Sequence, residues 1–145
     1  MTISLMNFLN WIPEIGGCPM EQGEIWTAPF PYFDENGGLK YKHRPVLIIS
    51  GDTMNNNGRD VIVCQISRFE LKRVAALSPQ LRKMVRVIKN DDLDPNTSRG
   101  LRNVSMIKPF KLFTIPKTKL RSGRYIGKLK EDVITELAEK TRGLF

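Results

Sequence analysis

The sequence predicts an α+β domain, a small and partly open β-barrel with a helix packed against it. Three observations lead there. Several short runs are dense in β-branched residues. Turn-forming residues separate them at close intervals. A helical-period apolar face stands at the C-terminal end, after the last of these runs. The chain has 145 residues, 41% of them hydrophobic, which suits one domain with a working core. No run approaches the roughly 18 apolar residues of a membrane span. Cys18 and Cys64 are too few for a disulfide framework or a closed zinc site.

In chain order, Leu5, Phe8, Leu9 and Ile12 fall at helical spacing before Pro13, predicting a short amphipathic N-terminal helix. The first eleven residues carry no base, unlike a secretory or mitochondrial leader. Glu24 to Phe30 reads as a first strand. Tyr32 to His43 is expected as a loop turning at Asn36-Gly37-Gly38. The continuous run Pro45 to Ile49 suits a strand buried on both faces, and Val61 to Ile66 repeats that character. Between them Thr53 to Gly58 reads as a polar loop. Leu71 to Met84 is mixed, with a helical turn around Pro79, and Val85 to Ile88 makes a short fourth strand. Ser105 to Ile115 forms a long fifth strand whose Pro109 implies an edge or a bulge. Leu129, Val133, Ile134 and Leu137 then share one helical face, with Glu131 and Asp132 in the first turn and Glu136 four residues before Lys140.

Charge is distributed unevenly. The total is 23 Lys+Arg against 15 Asp+Glu, a net +8. Residues 1–67 carry a net −3, residues 68–130 a net +13, and residues 131–145 a net −2. From Arg99 to Lys130 there are ten bases and no acid. A one-signed field of this size attracts polyanions, nucleic acid first, although an acidic protein partner fits the same field.

Several chemistries are absent. His43 is the one histidine, so a two-histidine acid–base pair within a protomer is impossible. No phosphate-cradling Gly-rich loop ends in Lys-Ser/Thr. Asp91, Asp92 and Asp94 lack the remainder of a calcium loop and read as an acidic turn. Cys64, inside an apolar strand, reads as a core filler. Arg44 opens one buried strand and Ser67 ends the next. Were these strands antiparallel neighbours, the two side chains would converge at one rim, a grip for a phosphate. An arginine opening a strand and a serine closing one are also ordinary structural choices.

At these residues the chain resembles the MazF/PemK family of type II toxin–antitoxin endoribonucleases. The resemblance runs from Gly23-Glu24-Ile25-Trp26 through His43-Arg44-Pro45-Val46-Leu47-Ile48-Ile49-Ser50. It continues through Val61 to Ser67, Ser105-Met106-Ile107, Phe113-Thr114-Ile115 and Gly127 to Leu144, about 120 of the 145 residues. It implies residues 23–145 as the toxin-like domain, with residues 1–22 as an extension, and an SH3-like barrel. It further implies a cytoplasmic homodimer, no cofactor or metal, and sequence-selective cleavage of single-stranded RNA. The family's arginine falls on Arg44 and its strand-ending threonine on Ser67. The 2′-hydroxyl would attack the adjacent phosphate, leaving a 2′,3′-cyclic phosphate and a 5′-hydroxyl. Lys108, Lys111, Lys117 and Arg121 are candidates for an RNA groove, with His43 beside the site and Tyr41 and Phe69 as stacking platforms. A cognate antitoxin with an acidic segment would occupy the same groove. The alternatives are a non-enzymatic binder on the same barrel, of the gyrase-poisoning CcdB type, and a weakened member acting as an RNA-binding regulator.

Overall fold

The computed structural model describes residues 20–142. The expected helix over Ile3 to Ile12 lies outside them. Six strands form one antiparallel sheet that does not close: β1 (Glu24–Phe33), β2 (Leu39–Ile48), β3 (Asp60–Arg68), β4 (Arg86–Ile88), β5 (Ser105–Pro116) and β6 (Tyr125–Lys128). Their spatial order is β4-β5-β3-β2-β1-β6. Five helices accompany them: α1 (Asp52–Asn57), α2 (Leu71–Ala75), α3 (Pro79–Arg82), α4 (Lys117–Arg121) and α5 (Glu131–Thr141). Among the described residues no helix is long and apolar enough to cross a membrane.

The continuous apolar runs have the expected consequence, a sheet covered on both sides. Leu47, Cys64, Ile66 and Ile107 join Val133 and Leu137 of α5 in one cluster. Val46, Ile48, Val61, Val63 and Ile115 join Leu120 of α4 in the other. Adjacent residues of β2 and β3 thus serve different clusters, as strand alternation requires.

Four expectations need correction. Tyr32 to His43 is a hairpin rather than a loop, with Phe33 opposite Leu39 and Pro31 opposite Tyr41. Pro29 and Pro31 are tolerated because β6 pairs only with Glu24 to Trp26, so the outer half of β1 has a bare edge. Arg44 therefore sits inside β2, not at its start. Thr53 to Gly58 is not a loop but mostly the short helix α1. Its Asn55 amide donates to the Ser50 carbonyl at 2.8 Å, and the Ser50 hydroxyl donates to Asn55 Oδ1 at 2.5 Å. Strand β6 was not legible, since Tyr125-Ile126-Gly127-Lys128 has no strand-like pattern and is ordered by its pairing with β1. Glu136 pairs with Arg86 across the sheet edge instead of Lys140, joined there by Asp92.

Two predictions test this framework. Asn55→Ala removes both bonds between Asn55 and Ser50 and is expected to cost about 1–3 kcal/mol, read from the urea midpoint. Burial pushes the Cys64 thiol up to about 12. At pH 8 only roughly one thiol in ten thousand is then ionised. Iodoacetamide should leave Cys64 unmodified in the folded protein and alkylate it in urea, as followed by peptide mass spectrometry.

Candidate functional site

The condition set for Arg44 and Ser67 is met, because β2 and β3 are antiparallel neighbours. Their ladder pairs Ile48 with Val63, Leu47 with Cys64 and Val46 with Gln65. The same register continued by two residues sets Arg44 opposite Ser67. Alternation puts Arg44 on the face of Val46 and Ile48, and Ser67 on the face of Val61 and Val63, which is the same face. His43 and Tyr41 alternate to the opposite face.

Ser67 is 4% exposed, and its hydroxyl is enclosed with no hydrogen-bond partner among the described residues. A buried hydroxyl in that condition costs about 1–3 kcal/mol. Arg44 is half-buried and makes no ion pair among the described residues.

Strand β5 brings the next cation. It matches β3 in one register from Asp60 to Cys64 and in another from Gln65 to Arg68. The shift leaves Pro109, Phe110 and Lys111 without partners, which is the bulge that Pro109 foretold. Beyond it Lys108 stands opposite Gln65, on the face of Ser67. Burial first, then the charges of Lys111, Arg73 and Arg44, push the Lys108 ammonium below its ordinary range. Glu70 acts the other way and is itself bridged to Arg73 at 3.2 Å. Phe69, directly after β3, is half-buried, its amide donating to the Val104 carbonyl at 2.9 Å.

Not every predicted cation joins this group. Lys117 opens α4 with its amide on the Arg59 carbonyl, at the opposite end of β3 from Ser67 and about 25 Å along the strand. Burial and then Arg121 depress the Lys117 ammonium, so these two form a separate pair.

A cleft of about 360 Å³ opens beside Ser67 at the end of β3, against Thr27 within β1 and Pro45 within β2. Arg68, Arg99, Arg102 and Arg124 line it, with Asn103 and Tyr125. Sequence reasoning did not single out Arg73 or the arginines of this cleft. The signal was the base-rich run from Arg99 to Lys130, but a run does not say which of its members converge.

The profile of the PemK-like, MazF-like toxins of type II toxin–antitoxin systems matches residues 21–145. No curated protein sequence matches the chain. Among solved structures, an endoribonuclease in complex with its cognate antitoxin, from a mycobacterial species, is 14% identical with a TM-score of 0.55, over 86% of this chain and 94% of that one. The Mycobacterium tuberculosis toxin MazF-mt6 is 23% identical with a TM-score of 0.54, over 81% of this chain and 90% of that one. A MazE–MazF structure from Deinococcus radiodurans is 15% identical with a TM-score of 0.52, over 88% and 96%. At these identities the structures establish a shared fold, and the profile spans more than four-fifths of the sequence. The chain belongs to the PemK-like, MazF-like toxins of type II toxin–antitoxin systems.

Proposed function

We propose that this toxin is an endoribonuclease cutting single-stranded RNA by transesterification, with Arg44 and Ser67 as its catalytic pair. The observation that carries the reading is the unsatisfied Ser67 hydroxyl, on the face of the sheet that also carries Arg44 and Lys108. An orphaned buried donor is costly, and a substrate oxygen would satisfy it.

In the reaction the 2′-hydroxyl passes its proton to water and attacks the neighbouring phosphorus. The bond to the 5′-oxygen breaks, leaving a 2′,3′-cyclic phosphate and, after protonation, a 5′-hydroxyl. The transition state gathers negative charge on the non-bridging oxygens. Arg44 offers a planar fork of donors to two of them, and Ser67 adds a third donor. Lys108 surrenders a proton more readily than an ordinary lysine and suits protonation of the leaving 5′-oxygen. None of these steps needs a bound metal. A homodimer and an acidic antitoxin segment laid over the same cations complete the reading, supported by family membership and by the positive field.

Arg44→Ala is expected to lower cleavage in EDTA at least about 10²–10³-fold. End analysis of a mixed RNA pool checks it, and loss of the 5′-hydroxyl fragments in that variant alone is the supporting result. Ser67→Ala should cut activity while leaving the urea midpoint unchanged or raised, because it deletes a hydroxyl that makes no bond. A purely structural serine would show the reverse. The rate should fall on the alkaline side at a pH below the ordinary lysine range, as Lys108 loses its proton, and Lys108→Arg should move that limb upward. A limb unmoved in Lys108→Arg removes the assignment of Lys108.

A further inference from the structure

Strands β1 and β2 run past the core as a hairpin whose two faces differ in chemistry. On the face away from Arg44, the outer rungs are Pro29 with His43, Pro31 with Tyr41 and Phe33 with Leu39. Phe33 is 73% exposed, Tyr41 58% and Leu39 54%. No lysine or arginine stands on this ladder. Lys40 and Lys42 alternate to the other face, where Lys40 pairs with Asp34 at 3.4 Å and the Lys42 ammonium lies 4.9 Å from the centre of the Tyr32 ring. Contiguous apolar side chains left in water mark a surface that a partner covers.

The ladder leads into the arginine cleft. Its next rung, Thr27 with Pro45, lines that cleft. Arg68, Arg99, Arg102 and Arg124 are all exposed there, and no acidic residue lines the cleft. None of the four takes part in an ion pair among the described residues. The backbone carrying two of them is anchored. The amides of Arg99 and Gly100 both donate to the Ile126 carbonyl, at 2.7 and 3.2 Å, and the Arg124 amide donates to Thr27 Oγ1 at 2.7 Å. From Thr27 to Phe33 the ladder extends about 20 Å, at roughly 3.3 Å per residue. One end of this surface is cationic and the remainder is apolar.

Two kinds of occupant do not fit. An added strand would have to pair with the bare outer edge of β1. The Thr27 amide points away from β2, donating to the Arg124 carbonyl at 2.8 Å, and alternation turns positions 29 and 31 the same way. Both are proline, so this edge offers no amide hydrogen before Phe33 and is a poor template for a strand. A nucleic-acid strand needs cations along its path, and the outer rungs of the ladder supply none. A protein segment does fit, with apolar side chains for the ladder and carboxylates for the guanidinium forks, which grip a carboxylate through two parallel bonds.

We infer that this face is a docking surface for a protein segment in which an apolar stretch runs into an acidic one, the hairpin ladder taking the apolar side chains and the four arginines the carboxylates. Arg44 and Lys108 do not line the cleft, so the surface is separate from the cations proposed to hold RNA and an antitoxin segment. The inference does not rest on the RNA-cleaving reading. Its probe is a fluorescent peptide of about twelve residues, with Leu and Phe alternating with Ser in one half and Asp filling the other. The peptide is titrated into the full chain without RNA and followed by anisotropy, each variant being checked for its fold by circular dichroism. Wild type should bind with a Kd on the order of micromolar. Phe33→Ser/Tyr41→Ser and Arg99→Gln/Arg124→Gln should each weaken binding at least about ten-fold, while Arg44→Ala changes it less than about three-fold. A peptide that wild type does not bind, or that the two double variants bind equally well, overturns the surface. Loss of binding in Arg44→Ala does so too, by seating the peptide over the catalytic pair. An oligoribonucleotide whose affinity falls in the hairpin variant, with peptide binding unchanged, assigns the ladder to nucleic acid instead. A sedimentation mass that halves in that variant, again with peptide binding unchanged, assigns it to an interface between copies of this chain. Failure of the nuclease reading leaves all these outcomes untouched, because none depends on cleavage.

Discussion

Burial of the sheet on both faces is the constraint on which the rest of the molecule depends. Val46 and Ile48 pack against α4's side while Leu47 packs against α5's, and Cys64 and Ile66 oppose Val61 and Val63 in the same way. A one-residue slip of β2 against β3 would send each of these side chains to the wrong layer. Each fully buried aliphatic side chain contributes about 1.5–3 kcal/mol, so the register is held by far more energy than any single polar contact at the rim. Arg44 and Ser67 are set on one face of the sheet, two residues past the last paired rung, because hydrophobic residues two to four positions away fix the register. An unsatisfied hydroxyl is tolerated at Ser67 for the same reason.

The second device is the bulge in β5. Three unpartnered residues change which face the strand presents on either side of them. Leu112 and Ile107 both stay in one core cluster, Lys108 turns toward Ser67, and Lys111 is left exposed beside it. A proline that cannot donate to a ladder thus re-aims a cation. The resulting group of Arg44, Arg73, Lys108 and Lys111 has Glu70 as its one opposing charge acting on Lys108. Like charges gathered in this way weaken the free fold, and a bound polyanion relieves the repulsion. The arginine cleft gathers a second set of cations beside Ser67, and Arg44 and Lys108 do not line it.

The central strands, the Pro109 bulge, the helical turn at Pro79 and the C-terminal helix were all legible in the sequence. Each is written in local chemistry: β-branched runs, a residue without an amide hydrogen, a 3.6-residue apolar period. The Arg44–Ser67 pairing was legible only as a conditional, since spacing places both residues at one strand end but says nothing of which strands are neighbours. The hairpin beyond Tyr32 was misread because Pro29, Pro31 and a lysine-rich stretch look like loop, and a bare sheet edge accepts them. Helix α1 was misread because its three asparagines favour turns in isolation, while here Asn55 is 1% exposed and bonded to Ser50.

The sequence by itself determined the composition of the layers, the excess of positive charge in residues 68–130 and the family to which the chain belongs. These follow from local pattern and from residue identity, which need no knowledge of what lies opposite. Only the tertiary structure decided which cations meet. Lys108 and Lys117 are nine residues apart in one basic run, yet a three-residue register shift and a 12-residue strand put them in different neighbourhoods. Arg68, Arg99 and Arg124 are far apart along the chain and converge because pairing with Ser105, the Ile126 carbonyl and Thr27 respectively hold their backbones around one cleft. Convergence is a property of strand order and register, and those are set by long-range burial that no local stretch of residues encodes.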